Sequence, residues 1–319
     1  MKKVISILTC LCLLMTTGCS RQETIRFGAA GVGGMYYPFA NAFTELASKD
    51  ETGINWKVKS TAGSAANLRL LSDNYIELGI AQADLIEDAY YGKGTFHSGK
   101  YRGYKAVASL YPEACQIVVR KDSDITSLDD LEGKNVSVGE EESGTERNAT
   151  QILEMCGLPD NLVNTKNLDY TDAADQLAEK KIDAFFCTAG ICTTVIEELT
   201  KECDIRLLEI PESCRQKLKK AYSFYNDYVI PAGTYSGQTE DIQTISVQSV
   251  LLASSTLSEK TVQKLTASLF NHIKDIQYST SINLQLTPQE AVKGITIPFH
   301  PGAEAYYKLE GVELPEVES

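Results

Sequence analysis

Short apolar stretches alternate with amphipathic stretches along most of this chain. TIRFGA, INWKVKS and IELGIAQ are rich in apolar and β-branched residues, which predicts strands. Apolar positions then recur at helical spacing and predict helices over 38–48, 64–71 and 83–91. Strands that alternate with helices favour a mostly parallel, doubly wound sheet that is covered by helices on both faces.

The alternation continues further along the chain. YKAVASL and CQIVVRK predict two separate strands, and SLDDLEGK predicts a short helix that begins at Ser127. SEKTVQKLTASLFNHIKDI predicts one long amphipathic helix. Further strands are predicted at NVSVGE, IDAFFCT, DIRLLEI and ISVQSVLLAS, and further helices at ERNATQILEMCG and DAADQLAEKK.

Two long apolar stretches, CQIVVRKDS and ISVQSVLLASS, form a matched pair, because a polar turn follows each of them. In a two-lobed protein, such strands carry the chain out to a second lobe and back. We therefore expect the second lobe to span residues 115–250. The first lobe would combine residues 19–114 with residues 251–319.

The N-terminus is typical of an export signal. Lys2 and Lys3 precede an apolar run, Val4–Met15, and small residues then lead to Cys19. We expect residues 1–18 to be a lipoprotein signal peptide and Cys19 to become the lipidated, membrane-anchoring first residue. An ordinary signal-peptidase site near the same place is the alternative. The run is shorter than the roughly 20 apolar residues that a membrane-spanning helix needs.

The composition limits the classes of partner. The 319 residues are 43% hydrophobic and 23% charged, which suits a globular chain with two separate cores. The formal net charge of −13 argues against nucleic acid and against adsorption to an anionic membrane surface. It remains compatible with a small anionic ligand, because a pocket can be locally positive on an acidic protein.

The cysteines are compatible with two redox states. None of their spacings is CxxC, so neither a metal site nor a redox motif is indicated. Export permits disulfides, and Cys187 with Cys192, or Cys203 with Cys214, are candidate pairs. Reduced thiols, several of them buried, are the alternative. Beyond Cys19 the chain has Cys115, Cys156, Cys187, Cys192, Cys203 and Cys214.

GVGGMYYPFANAFTELA places glycines at a junction between a strand and a helix. The stretch lacks the last glycine of GxGxxG, and the chain has no GxxxxGK[ST], so no nucleotide cofactor is expected. Gly34 would still let backbone N–H groups approach an anion at a helix N-terminus. Tyr36 and Tyr37 add phenols, and Pro38 suits the first helical turn. A tight turn with both tyrosines packed on the sheet is the alternative.

Four later junctions between a strand and a helix also have small or polar residues just beyond the end of the strand. Open α/β sheets bind ligands at this edge. The arginine among these residues would complete an anion clamp. Alternatively, the hydroxyls only cap helices, and Arg147 balances the negative charge of the acidic run Glu140–Glu142. The candidate ligand contacts are Thr61, Ala62, Gly63, Ser64, Gln82, Ser143, Gly144, Thr145, Arg147, Ala189 and Gly190.

No single junction supplies enough binding energy. One helix N-terminus stabilises an anion by about 0.3–1 kcal/mol, whereas micromolar binding needs about 8 kcal/mol. Several junctions must therefore close on one ligand. This predicts a small anionic solute in a cleft between the two lobes.

A series of blocks carries a resemblance to a known family: GGMYYP, STAGSAANLRLL, ELGIAQADLIEDAYYG, ASLYPE, SLDDLEGKNVSVGEEESGT, KIDAFFCTAG, IPAGTYSGQ and IPFHPGA. Over nearly the whole mature sequence, the chain resembles the TAXI subfamily of TRAP transporter solute-binding proteins. The resemblance implies a type II periplasmic-binding-protein fold, in which two doubly wound α/β lobes close by hinge motion on a solute. It also implies delivery to a TRAP membrane permease driven by an ion gradient, and small carboxylates such as glutamate or 2-oxoglutarate as ligands.

The family's binding loops correspond to Tyr36–Pro38, Thr61–Ser64, Gln82, Ser143–Thr145 and Ala189–Gly190. The chain departs from many relatives beside these loops. Ala83 stands where serine is frequent, Glu146 follows SGT where arginine is frequent, and Ile191-Cys192 replaces Val-Pro. The identity of the ligand is therefore not transferred.

An exported hydrolase is the main competing class outside transport. The chain has three histidines, His97, His272 and His300, and neither GxSxG nor HExxH, so we do not expect an enzyme. We expect His272 on a helix surface and His300 in a structural turn. A receptor for an ATP-driven importer with the same fold is a closer competitor, and an adhesin-like surface lipoprotein is a third class.

Overall fold

The computed structural model describes residues 23–51, 53–159, 161–280, 282 and 284–317. The predicted signal peptide and Cys19 lie outside the described residues. Within the described part of the chain, no helix is both long and apolar enough to cross a membrane.

Ten strands form one sheet. The strands are β1 (Glu23–Gly28), β2 (Ile54–Lys59), β3 (Leu78–Gln82), β4 (Tyr104–Arg120), β5 (Asn135–Ser137), β6 (Asn164–Lys166), β7 (Ala184–Ala189), β8 (Ile205–Leu207), β9 (Asn226–Ile230) and β10 (Ile242–Ser254). The α-helices are α1 (Tyr36–Asp50), α2 (Ser64–Ser72), α3 (Ala83–Tyr91), α4 (Gly144–Met155), α5 (Tyr170–Ala178), α6 (Thr194–Glu202), α7 (Glu212–Ala221), α8 (Glu259–Asn271), α9 (Ile273–Thr280) and α10 (Pro301–Leu309).

The sheet has two parallel parts that two long strands join. Its order is β2-β1-β3-β10-β4-β7-β5-β6, with β8 on β4 and β9 on β10. Pairing is parallel among β1–β3 and among β5–β7. The two long strands are antiparallel to each other; β4 is also antiparallel to β7 and β8, and β10 to β3 and β9. The expectation of a mostly parallel sheet therefore holds only inside each part. We call β1–β3 with α1–α3 the first half, and β5–β8 with α4–α7 the second half.

The two long strands link these halves. YKAVASL and CQIVVRK, predicted as separate strands, are one strand of 17 residues, β4. Pro112 interrupts the apolar pattern at an exposed position, but it does not end the strand, which pairs with β10 on both sides of it. Such pairing suits the expectation that these strands cross between lobes. The boundaries at residues 115 and 250 stay a prediction.

Buried apolar side chains form two clusters. The larger one packs α1, α8 and α10 on the sheet, includes Phe27, Phe39 and Tyr307, and extends to α5 and α6. The smaller one packs α4 and α7 against β4, β5 and β10, and includes Ile117 and Ile152. Apolar packing on the sheet therefore fixes the positions of these helices.

Three local predictions differ from the structure. SLDDLEGK forms only a single 3₁₀ turn, Asp129–Leu131, and the Asp130 carboxylate accepts the backbone N–H groups of Thr126 and Ser127 before it. The long C-terminal helix is broken into α8 and α9 at His272, which contacts the carboxylates of Asp50 and Asp275. The sequence pattern also did not predict α7 and α10.

Two of the remaining expectations concern single side chains. His300 is a structural residue at the N-terminus of α10, since its Nδ1 accepts the backbone N–H of Gly302. All six described cysteines are free thiols. Neither candidate pair is joined; instead the thiols of Cys156 and Cys214 contact each other.

Candidate functional site

One cleft lies where the helix N-termini of the two halves meet. In this closed arrangement its free volume is only about 50 Å³. The first half contributes Ala30, Gly31, Gly34, Met35, Tyr36, Ala62, Gly63, Ser64 and Gln82; β4 contributes Glu113; the second half contributes Glu140, Ser143, Gly144, Thr145, Asp169, Tyr170, Thr188 and Ala189. We call this set the cleft.

Four helices begin at the cleft. The first residues of α1, α2, α4 and α5, which are Tyr36, Ser64, Gly144 and Tyr170, all line it. The Asp169 carboxylate already occupies the N-terminus of α5, where it accepts the N–H of Asp172, which leaves α1, α2 and α4 without an anionic cap. The first-turn N–H groups of a helix have no acceptor within the helix, and its N-terminus carries a partial positive charge. The convergence of three such ends gives the cleft backbone donors for an anion.

The α1 junction places a phenol in the floor of the cleft. The Tyr36 hydroxyl donates to Oε2 of Glu113 at 2.8 Å, and both side chains are buried. Tyr37, one position on, does not line the cleft and packs against the apolar core instead. A Cβ on Gly34 would lie 3.1 Å from the Tyr170 ring, so a side chain here would require the ring to shift by a few tenths of an ångström.

The α2 junction depends on a glycine conformation. Gly63 has φ of +124°, which disfavours any side chain. A Cβ there would lie 3.4 Å from Cα of Ser143, so the starts of α2 and α4 touch. Thr61 does not line the cleft, because its hydroxyl donates to Asn67 Oδ1 at 2.8 Å and accepts the N–H of Ala30. Thr61 therefore fixes the turn.

At the α4 junction, the hydroxyls of Ser143 and Thr145 form hydrogen bonds within the second half. Ser143 Oγ accepts the N–H of Glu146, as an N-cap does. Thr145 Oγ1 accepts the N–H of Thr188 at 3.2 Å and lies 2.5 Å from the Tyr170 hydroxyl. These bonds tie α4, α5 and β7 into one wall of the cleft.

The two halves are closed on each other. The N–H of Ala65 donates to the carbonyl of Glu142 at 3.1 Å, and the Glu142 carboxylate pairs with Arg69 of the first half. In the opposite direction, Arg147 Nη2 of the second half donates to Asp88 Oδ2 at 2.6 Å. Arg147 is therefore a bridge between the halves, and the anion clamp that the sequence suggested is not formed in this arrangement.

Acidic groups dominate the side chains of the cleft. Burial raises the pKa of Glu113 to about 8, although hydrogen bonds from Tyr36 and Gln82 oppose the shift. Partial burial, and then the charge of Asp169, raise the pKa of Glu140. No lysine, arginine or histidine is among the described residues that line the cleft. Positive potential from the described lining residues therefore comes from backbone.

A further carboxyl group lies beside the cleft, on α3. Asp84 is 1% exposed, and both of its carboxylate oxygens lack a hydrogen-bond partner among the described residues. It lies one turn before Asp88, which meets Arg147. Burial raises the pKa of Asp84 to about 7, against the opposing effects of the nearby Leu85 backbone N–H and then of the Arg147 charge. Because its folded-state pKa is raised, this buried carboxyl group contributes to the stability of the folded protein fully below the ordinary Asp pKa, and the contribution is lost as pH rises through about 7.

Most of the predicted contacts line the cleft, and four do not. Tyr37, Thr61, Arg147 and Gly190 lie outside the lining. Residues that the sequence pattern did not select are Ala30, Gly31, Met35, Glu113, Glu140, Asp169, Tyr170 and Thr188. The one that a pattern could have revealed is Glu113, because it is a charged residue in the middle of the long apolar run of β4.

The chain matches a known family over most of its length. A family model described as NMT1-like matches residues 27–311. The chain belongs to the NMT1-like family. This is the TAXI-type family of TRAP solute-binding proteins, which confirms the resemblance seen in the sequence. Its members bind solutes and are not enzymes, as expected.

Solved structures confirm the fold of this NMT1-like protein. The alkanesulfonate-binding protein SsuA of Xanthomonas axonopodis pv. citri, bound to MOPS, is 17% identical with a TM-score of 0.52, over 90% of this chain and 83% of its own. A putative L-cystine ABC transporter protein of Listeria monocytogenes is 15% identical with a TM-score of 0.52, over 81% and 94%. A periplasmic transporter structure is 13% identical with a TM-score of 0.56, over 91% and 93%. The chain therefore has the type II periplasmic-binding-protein fold.

The bridge between Arg147 and Asp88 gives a testable prediction about closure of this NMT1-like protein. Arg147→Gln should weaken ligand affinity roughly 5- to 30-fold, because a partly buried charged hydrogen bond contributes about 1–2 kcal/mol to the closed state. Isothermal titration calorimetry measures the affinity, and a cycle with Asp88→Asn isolates the pair. Lys201→Gln, which removes an exposed ion pair with Glu198 within α6, is the control. Unchanged affinity of Arg147→Gln would show that the bridge does not hold the halves together.

Proposed function

We propose that this protein is an extracytoplasmic receptor that captures a small carboxylate, such as glutamate or 2-oxoglutarate. It delivers this solute to a TRAP membrane permease that an ion gradient drives. The lipid on Cys19 anchors the receptor to the membrane. Residues 19–114 and 251–319 form its first lobe, and residues 115–250 form its second lobe.

The convergence of three helix N-termini carries the carboxylate proposal. Tyr36, Ser64 and Gly144 begin helices in different parts of the chain, yet all three line one cleft. Backbone N–H donors at helix starts bind carboxylates without a cationic side chain. A ligand in this position would contact both halves and so stabilise the closed arrangement.

A thermal-shift panel tests the proposal. The purified protein is heated with each α-amino acid, the matching 2-oxo acid and a series of dicarboxylates, all at equal ionic strength. A ligand at 100 times its Kd stabilises the folded protein by about 2.7 kcal/mol, which gives a readable rise of Tm. We expect a rise with at least one carboxylate and none with the corresponding amide or alcohol. A panel without any carboxylate-dependent shift would contradict the proposed function.

A further inference from the structure

The charges of the cleft do not match a ligand that is only an anion. Glu113 forms part of the floor, and Glu140 and Asp169 lie on the second half's side. The arginines of α2 and α4, Arg69 and Arg147, are paired with carboxylates across the halves. Three carboxyl groups therefore line the ligand space without a cationic side chain from the described lining residues.

An unpaired acceptor lies beside the buried carboxyl group. Gln82 lines the cleft, is 2% exposed, and its Oε1 has no hydrogen-bond partner among the described residues. Glu113 is also 2% exposed, and its carboxylate has more acceptor positions than Tyr36 and Gln82 use. Because an ammonium group has three N–H donors and no acceptor, it satisfies Gln82 Oε1 and Glu113 together. A carboxylate in the same place would face Gln82 Oε1, and Glu113 whenever it is ionised, with further acceptors.

We propose that Glu113 is the specificity-determining residue of the cleft, and that it accepts the ammonium group of a ligand whose carboxylate lies on the three helix N-termini. Gln82 Oε1 accepts a second N–H of that group. Glu140 and Asp169 add negative potential to the same ligand space. The inference rests on the proposed function, and it selects α-amino acids over the matching 2-oxo acids and dicarboxylates.

Binding of the ammonium group has a consequence for protons. Burial keeps Glu113 largely protonated at pH 7, since its pKa is about 8. A charge-assisted bond to an ammonium group needs the carboxylate, so Glu113 releases its proton to solvent as the ligand binds. Affinity should therefore rise up to about tenfold for each pH unit as pH approaches 8 from below. If protonated Glu113 instead donated to a ligand oxygen, affinity would fall over the same range.

Other titratable groups surround Glu113, and their effects on the pH dependence must be distinguished from that of Glu113. Those within electrostatic reach are Tyr36, Asp84, Tyr111, Cys115, Tyr170 and Cys187. Asp84 has the pKa nearest to neutral among them, about 7, so it titrates in the same pH range as Glu113. Asp84 also titrates in Glu113→Gln, but its charge raises the pKa of Glu113 in the wild type. The difference between these two proteins therefore reports Glu113 together with its coupling to Asp84.

Calorimetry with matched ligand pairs tests the inference. L-Glutamate is compared with 2-oxoglutarate, L-alanine with pyruvate, and each other amino acid that shifts Tm with its 2-oxo acid. We expect the amino member of the pair to bind at least tenfold more tightly, and Glu113→Gln to remove most of that preference. Titrations at pH 7 in phosphate and in Tris give the protons released, and the wild type should release close to one more than Glu113→Gln.

The outcomes separate the inference from the proposed function. A 2-oxo acid or dicarboxylate that binds as tightly as its amino partner, or affinity that falls from pH 6 to 8 in the wild type alone, overturns the role of Glu113 and leaves the receptor function standing. No binding by any member of the panel overturns both. If Glu113→Gln does not fold, Tyr36→Phe is measured instead, because it retains the carboxyl group. The preference of the wild type for amino acids over 2-oxo acids and its pH profile then test the inference.

Discussion

Gly144→Ala should weaken ligand binding roughly 10- to 100-fold while the unliganded protein keeps its stability. Gly144 begins α4 in the second half, and a Cβ there would overlap Cδ and Oε1 of Gln82 and lie 2.6 Å from Nε2. The added methyl must push the Gln82 side chain into the cleft or keep the halves apart. Overpacking of this kind costs about 1–3 kcal/mol, which corresponds to a loss of affinity of roughly 10- to 100-fold.

Calorimetry with the tightest ligand of the panel measures this loss, and thermal unfolding without ligand checks the stability. The clash exists only when the halves are closed, so Tm of the unliganded variant should stay near that of the wild type. Gly99→Ala is the matched control, because a Cβ at Gly99 meets no atom within 4 Å. If Gly144→Ala bound as tightly as Gly99→Ala, the closed contact between Gly144 and Gln82 would have no part in binding.

Gly302→Ala should have the largest effect on stability. Gly302 is the second residue of α10, and a Cβ there would overlap the carbonyl oxygen of Glu259 and lie 2.6 Å from the backbone N of Gln263. Backbone atoms of a packed helix cannot rotate away as a side chain can. α10 and α8 must therefore separate, at a cost of about 3 kcal/mol.

A loss of this size should lower Tm by roughly 5–10 °C in a chain of this length, measured by circular dichroism. Glu304→Ala provides the comparison, because it changes an exposed residue of the same helix and should alter stability by about 0.5 kcal/mol or less. Ligand affinity of the folded Gly302→Ala protein should be unchanged, since no residue of α10 lines the cleft in the described part of the chain. Equal Tm values for the two variants would contradict the close packing of α10 on α8.

Local pattern predicted the elements that build the walls of the cleft. Residues 83–91 form α3 as predicted, and the helices at 38–48 and 64–71 differ from α1 and α2 by a few terminal residues. Apolar periodicity and a glycine or proline near each helix start are local properties, so the sequence displays them directly. The same locality explains the errors. The break at His272 and the continuity of β4 through Pro112 depend on neighbours that are distant in sequence.

The sequence by itself determined the alternation of strands and helices, the family and the positions of the helix N-termini. The tertiary structure alone decided which charges face the ligand. Tyr36 meets Glu113 across 77 positions, and Arg147 meets Asp88 across 59. A short-range pattern cannot encode such pairs, because they form only when β4 and β10 bring the two halves together. Arg147 therefore looked like a ligand-binding cation in the sequence, and Glu113, whose burial raises its pKa, was not selected as a residue of the cleft.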